Sequence, residues 1–186
     1  MEIGSQLSNW NTRTRHHHGC VTLHGGYKFG QDSIRAPNIA FTPMETYENL
    51  TDQQRKTFQG PSFTPSFVIE VDDLSKQDTL ETLTEKMREA YISKGVQLGW
   101  SIDPFHKVFH VFKANGNSVV HHQGEGWSFI DAGDVAPGFK LQLWKIDKVM
   151  SPVSSFILMS YKLQIDWLLE AYSVFCGQWQ VSLPCM

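Results

Sequence analysis

Residues 65–104, PSFVIEVDDLSKQDTLETLTEKMREAYISKGVQLGWSIDP, constrain the fold of this chain more than any other stretch. Within them, Phe67–Val71 is a short apolar run broken by one carboxylate, Glu70, the pattern of a strand buried on both faces. A helical pattern opens at Asp78, where Asp78 and Glu81 have capping-box spacing, and Leu80, Leu83, Met87 and Tyr91 follow at three- and four-residue steps. Gly95 closes it. Residues 98–102, LGWSI, then read as a second short strand, stopped by Asp103 and Pro104. Strand, helix and strand within about forty residues have the size of a βαβ crossover, which predicts two parallel strands in one sheet.

The chain of 186 residues suffices for one domain whose core needs no disulfides. A net charge of -3 with 19% charged residues creates no global basic field, so strong non-specific nucleic-acid binding is not implied and only a local patch can serve. Cys20, Cys176 and Cys185 lack the CxxC spacing of a zinc or redox motif and fit a reducing compartment, which predicts an intracellular, cytoplasmic protein. The first residues lack the basic-then-apolar pattern of a signal peptide. Nor does any uninterrupted apolar run reach the ~18 residues of a membrane span.

Ahead of the central unit, Ile3, Leu7 and Trp10 mark one face of a short helix with Glu2 at its start. The RTRHHH run at 13–18 reads as an exposed loop or a weak metal binder, since three adjacent histidines cannot all face one ion from a helix. Residues 21–23 form a strand pattern, and the GGYKFG that follows lacks the third glycine of a dinucleotide fingerprint. Residues 36–41, APNIAF, predict another strand that holds Asn38 near the sheet. Thr51 and Gln54 can cap a helix ending near Gly60.

After Pro104, residues 108–113 alternate as an edge strand, Asn115-Gly116 signals a tight hairpin turn, and 118–121 return as its partner. Residues 127–130 continue the meander, 133–139 form a loop, and Leu141, Leu143 and Ile146 pack a last extended or helical turn. Phe105, Phe109 and Phe112 are expected in core and hairpin packing, and His121 and His122 at an exposed strand end. From 156 to 175 the chain is mostly apolar, with Lys162, Asp166 and Glu170 on one helical face. Such a helix docks on the domain, pairs with another copy or lies at a membrane surface, with Pro152 as the joint. The predicted division is a domain at 1–150 and an amphipathic helical tail at 151–186.

Glu70 suits its surroundings least, because an ionised carboxylate in a short apolar strand must be paired, metal-bound or placed at the strand's open end. A right-handed crossover can bring Lys86, one step from the apolar stripe of the next helix, over the carboxyl end of that strand. Ligands collect at that edge of open α/β sheets. A carboxylate, a lysine and a divalent metal can align a water and stabilise the pentavalent phosphate of nuclease chemistry. The same pair can equally be a structural salt bridge, and spacing leaves both readings open.

Taken in order, FVIEV, LETLTEKMREAY, the turn at Lys94-Gly95, LGWSIDP and GDVAPGF resemble the large restriction endonuclease family best known from cyanobacteria, Uma2-like, of the PD-(D/E)xK nuclease superfamily. The resemblance spans residues 2–149 and leaves the tail unexplained. It implies an α/β (α+β) fold, a mixed central β-sheet flanked by helices, and metal-dependent cleavage of DNA with Mg²⁺ or Mn²⁺. The family's first carboxylate, an Asp after Pro, falls on Asn38, and the second on Glu70. Asp72 occupies the usual lysine position, and a migrated lysine falls on Lys86. A glutamate of the first helix matches Glu2, and this sequence starts where the family normally has an upstream strand and turn.

An amide offers a metal a neutral oxygen but not the charge that holds Mg²⁺ beside phosphates. The expectation is therefore a nuclease fold in which Glu70 and Lys86 are catalytic, Glu70 and Asn38 are metal ligands of reduced strength, and activity is weak or lost. The competing class is a non-catalytic binding or assembly protein that forms a homodimer through the 156–175 helix.

Overall fold

The computed structural model describes residues 2–13, 17–29, 33–56, 63–122, 124 and 128–150. The chain divides into two compact units, Met1–Asp147 and Lys148–Met186. The helix expected at 156–175 and the joint at Pro152 lie outside the described residues.

Helix α1 (Glu2–Asn11) precedes β1 (Gly19–Leu23), the paired short strands β2 (Tyr27–Phe29) and β3 (Ser33–Arg35), and β4 (Ile39–Pro43). Two short helices, α2 (Met44–Glu48) and α3 (Asp52–Arg55), lead to β5 (Phe67–Val71). Helix α4 (Gln77–Glu85) continues as a π-turn over Lys86–Tyr91 and a 3-10 turn over Ile92–Lys94 before β6 (Leu98–Asp103). Then come β7 (Val108–Lys113), β8 (Ser118–His122), β9 (Phe129–Asp131), β10 (Lys140–Gln142) and α5 (Leu143–Met150).

The central sheet has six strands in the order β1-β4-β5-β6-β7-β8. Strands β5 and β6 are parallel, from Phe67↔Leu98 to Val71↔Ile102, and every other neighbouring pair is antiparallel. The sheet is thus mixed, with the βαβ crossover at its centre. Side chains alternate across it, as the pleat requires. Ile39, Phe41, Phe67, Ile69, Trp100 and Ile102 face a core shared with Ile3, Leu7 and Trp10 of α1. Ala40, Val68 and Phe112 face a second core with Met87 and Tyr91 of the crossover helix and Val96 just beyond its end. Trp100, fully buried, anchors the first core edge-on against Phe67 and Phe109 at 4.6 and 5.0 Å between ring centres.

Local signals account for several boundaries. Thr51 and Gln54 close the capping box of α3. Gly95 ends the crossover helix at φ 103°, a left-handed conformation that a Cβ would strain. Asn115-Gly116 turns β7 into β8, with Gly116 at φ 82° and its N–H donating to Lys113 O at 2.9 Å. His121 and His122 are exposed on β8.

Other expectations are corrected. Helix α4 begins at Gln77 after Lys76, with no side-chain cap, so Asp78 lies inside its first turn and forms no capping box. Strand β7 is interior because β8 covers it. Phe129–Asp131 leaves the meander and pairs with β10 in a separate two-stranded sheet. Strand β4 starts at Ile39 rather than at residue 36. Phe109 and Phe112 are buried, but Phe105 is 67% exposed because it sits in the β6–β7 turn, clear of both cores.

Candidate active site

Strand β5 carries Glu70 at its carboxyl end on the face covered by the crossover helix, in alternation with Val68. Only 5% of Glu70 is exposed, so its charge needs partners. Lys86 Nζ lies 2.6 Å from Glu70 Oε1, and the Tyr91 hydroxyl donates to the same oxygen at 2.7 Å. The Lys86 side chain is 33% exposed. No described residue donates to Oε2. Burial, then the charge and hydrogen bond of Glu70, push the Tyr91 phenol far above its ordinary range, so Tyr91 is always a donor here.

Polar side chains continue across the strands. Registers Glu70↔Ser101 and Ser101↔His110 set these residues side by side, and Asn38 lies one step beyond the Ile39↔Ile69 pair, in line with Glu70. Asn38 Oδ1 accepts from Val71 N at 2.7 Å, and its carbonyl accepts from His24 N at 3.0 Å. Ser101 Oγ is buried without a hydrogen-bond partner among the described residues. Burial, with His122 nearby, holds the His110 imidazole below its ordinary value.

Asn38, Glu70 and Lys86 are thereby brought to one region at the carboxyl edge of the parallel pair. Glu2 is not joined to them. It sits on α1, which packs on the opposite face of the sheet, and it lines a cleft with Gln6, Lys140 and Lys145.

The same edge holds a second cluster. Asp73, Asp103 and His106 place one ligand atom each within 4.8 Å of one another, a donor set that could chelate a divalent cation. Asp103 is fully buried at the end of β6. Its Oδ2 accepts from Leu74 N and meets His106 Nδ1, both at 2.8 Å, while Oδ1 accepts from Phe105 N and His106 N at 2.9 Å. A cation there must compete with these donors. Burial alone would raise the Asp103 carboxyl, but these hydrogen bonds outweigh it and hold it below the ordinary 3.8.

The sign of the pH effect follows. A depressed folded-state pKa contributes stability above 3.8 that is lost as pH falls through the lower folded value. Asp103→Asn is expected to remove that part of the acid slope and to cost about 1–3 kcal/mol at pH 7 by leaving donors mismatched. Urea titrations of both proteins from pH 7 to pH 3 check this, and parallel stability curves would reject it.

Among the described residues none donates to Glu70 Oε2, and the Asn38 amide oxygen has a second lone pair beyond its bond to Val71. A carboxylate and an amide oxygen are donors of the kind Mg²⁺ and Mn²⁺ take, alongside water and phosphate.

Tyr91, Ser101 and the Asp73–Asp103–His106 cluster were not singled out from the sequence as site residues. Tyr91 matched an apolar helix stripe and Asp103-Pro104 a strand stop. Only the acidic residue before a proline was a signal there, and it marks turns as readily as ligands.

A mixed sheet flanked by helices, with a carboxylate–lysine pair at the carboxyl edge of its parallel strands, defines a restriction-endonuclease-like protein. Residues 1–143 match the Uma2 family model, described as "Putative restriction endonuclease", and the chain belongs to that family. It is also similar to the crystal structure of a "putative nuclease belonging to DUF820" from Anabaena variabilis, with a TM-score of 0.61 and 18% identity over 79% of this chain and 76% of that one. That likeness concerns the fold. No curated protein matches the chain. Among the described residues, no helix is long and apolar enough to cross a membrane.

Proposed function

We propose that this chain is a metal-dependent endodeoxyribonuclease of the PD-(D/E)xK type whose activity is attenuated by Asn38. The observation that carries the reading is the 2.6 Å contact between Lys86 and the buried Glu70 at the carboxyl edge of β5. Glu70 and Asn38 would hold Mg²⁺ or Mn²⁺, which when bound supplies Lewis-acid polarisation of the phosphate and a more acidic bound water. Glu70 keeps the Lys86 ammonium at the edge where a phosphodiester would enter. Lys86 there donates to a phosphoryl oxygen and stabilises the charge that develops on it. Strand β5 holds Glu70 and the crossover helix holds Lys86.

Asn38 occupies the position of the family's first carboxylate and supplies no charge, which lowers metal affinity and slows cleavage. DNA is the proposed substrate.

The test is nicking of supercoiled plasmid with Mg²⁺ or Mn²⁺. Slow nicking by the wild type, lost on chelation and reduced at least about a hundredfold in Glu70→Ala, is expected. Equal nicking by both proteins, or none by the wild type with either ion, would overturn the proposal.

A further inference from the structure

The crossover helix changes pitch where it meets Glu70. Its α-helical part ends at Glu85, the π-turn runs over Lys86–Tyr91, and a 3-10 turn closes it. In an α-helix, residues five apart point about 140° away from one another around the axis, so Lys86 and Tyr91 would not share a partner. A π-turn, with its i→i+5 repeat, brings them to one side. Both then reach Glu70 Oε1, at 2.6 and 2.7 Å, and Lys86 Nζ lies 5.7 Å from the centre of the Tyr91 ring. The ring is fully buried among Phe29, Val68, Met87 and Val96, with its centre 5.3 Å from that of Phe29. Packing alone asks only for a ring there. The hydroxyl, aimed at a carboxylate, asks for another explanation.

We propose that Tyr91 is a positioning residue for the Glu70–Lys86 pair: its hydroxyl holds Oε1 so that Oε2 is the oxygen presented to a cation. The π-turn is the backbone device that makes this geometry available. The inference deepens the nuclease reading and rests on it for its catalytic consequence. Its structural consequence is independent, because a carboxylate oxygen held by the hydroxyl and paired with the ammonium orders the lysine as well as the acid.

Tyr91→Phe keeps the ring and removes the donor. Two readouts separate this inference from the nuclease reading. In the full chain, hydrogen exchange of the Lys86 side-chain ammonium, followed by ¹⁵N NMR, is expected to quicken at least about threefold in Tyr91→Phe. In the Asn38→Asp background, Tyr91→Phe is expected to lower kcat about tenfold with little change in KM for DNA. If Asn38→Asp cleaves but Tyr91→Phe changes neither kcat nor exchange, Tyr91 only packs and the inference falls while the nuclease reading stands. Quickened exchange with an unchanged kcat overturns it as well.

If Asn38→Asp does not cleave, the nuclease reading fails, and ammonium exchange alone decides whether Tyr91 orients the pair. Glu70→Gln, which leaves Tyr91 in place, serves should Tyr91→Phe lose its fold. A shifted Tyr91 ring ¹³Cζ signal supports the clamp, and an unshifted one rejects it.

Discussion

Asn38→Asp is expected to increase Mg²⁺-dependent nicking at least about tenfold over the wild type, because it adds a formal charge to the proposed metal site, which otherwise offers a dication a single carboxylate. The backbone already accommodates the change. One carboxylate oxygen can retain the 2.7 Å bond from Val71 N, and the other replaces the amide nitrogen in line with Glu70. Without metal the two acids repel, which is expected to cost about 1 kcal/mol. Metal reverses that cost, since an ion that binds the native state raises its stability by mass action. The melting temperature of Asn38→Asp should therefore climb more steeply with Mg²⁺ than that of the wild type. Thermal scans across a Mg²⁺ series and plasmid nicking check the two halves separately. A variant with neither the steeper climb nor the faster nicking would remove Asn38 as the attenuating residue.

Lys86→Met should abolish cleavage and also destabilise the fold, and the two effects can be separated. Removing the ammonium leaves Glu70, 5% exposed, with only the Tyr91 hydroxyl as a partner among the described residues. Breaking a buried ion pair by removing one partner costs several kcal/mol. Because Lys86 is itself a third exposed, about 2 kcal/mol is expected here. The double variant Lys86→Met with Glu70→Leu replaces the pair by apolar groups of similar size and should recover most of that stability while remaining inactive. Urea melts and nicking of the four proteins in the cycle test this. Cleavage by Lys86→Met at the wild-type rate would take the lysine out of the chemistry.

Much of this arrangement was legible along the chain. An apolar run with one carboxylate, a helix and a second apolar run marked β5, the crossover and β6 because burial on both faces of a parallel strand leaves a near-continuous hydrophobic record. The turns at Gly95 and Asn115-Gly116 were visible because backbone conformations with positive φ select few residues. Glu70 was visible as a misfit, a charge where charge is costly. Lys86 could be placed near it by the handedness of the crossover.

Other features left no such record. The strands β9 and β10 are three residues each, too short for periodicity to assign them a sheet, and their pairing was settled by the chain's return at Phe139. Asp103 looked like punctuation, yet it collects four donors from residues 74, 105 and 106 because β6 ends against the loop that follows β5. Tyr91 fitted an α-helical stripe, and that pattern was right about its burial and silent about its hydroxyl. Hydrophobic periodicity reports which face of an element is dry, a property of each segment and its composition. It does not report a one-residue change of helical pitch or the register between strands distant in sequence. Those depend on how whole elements dock, and here they select the oxygen that Lys86 and Tyr91 share and the strand that sets Asn38 beside it.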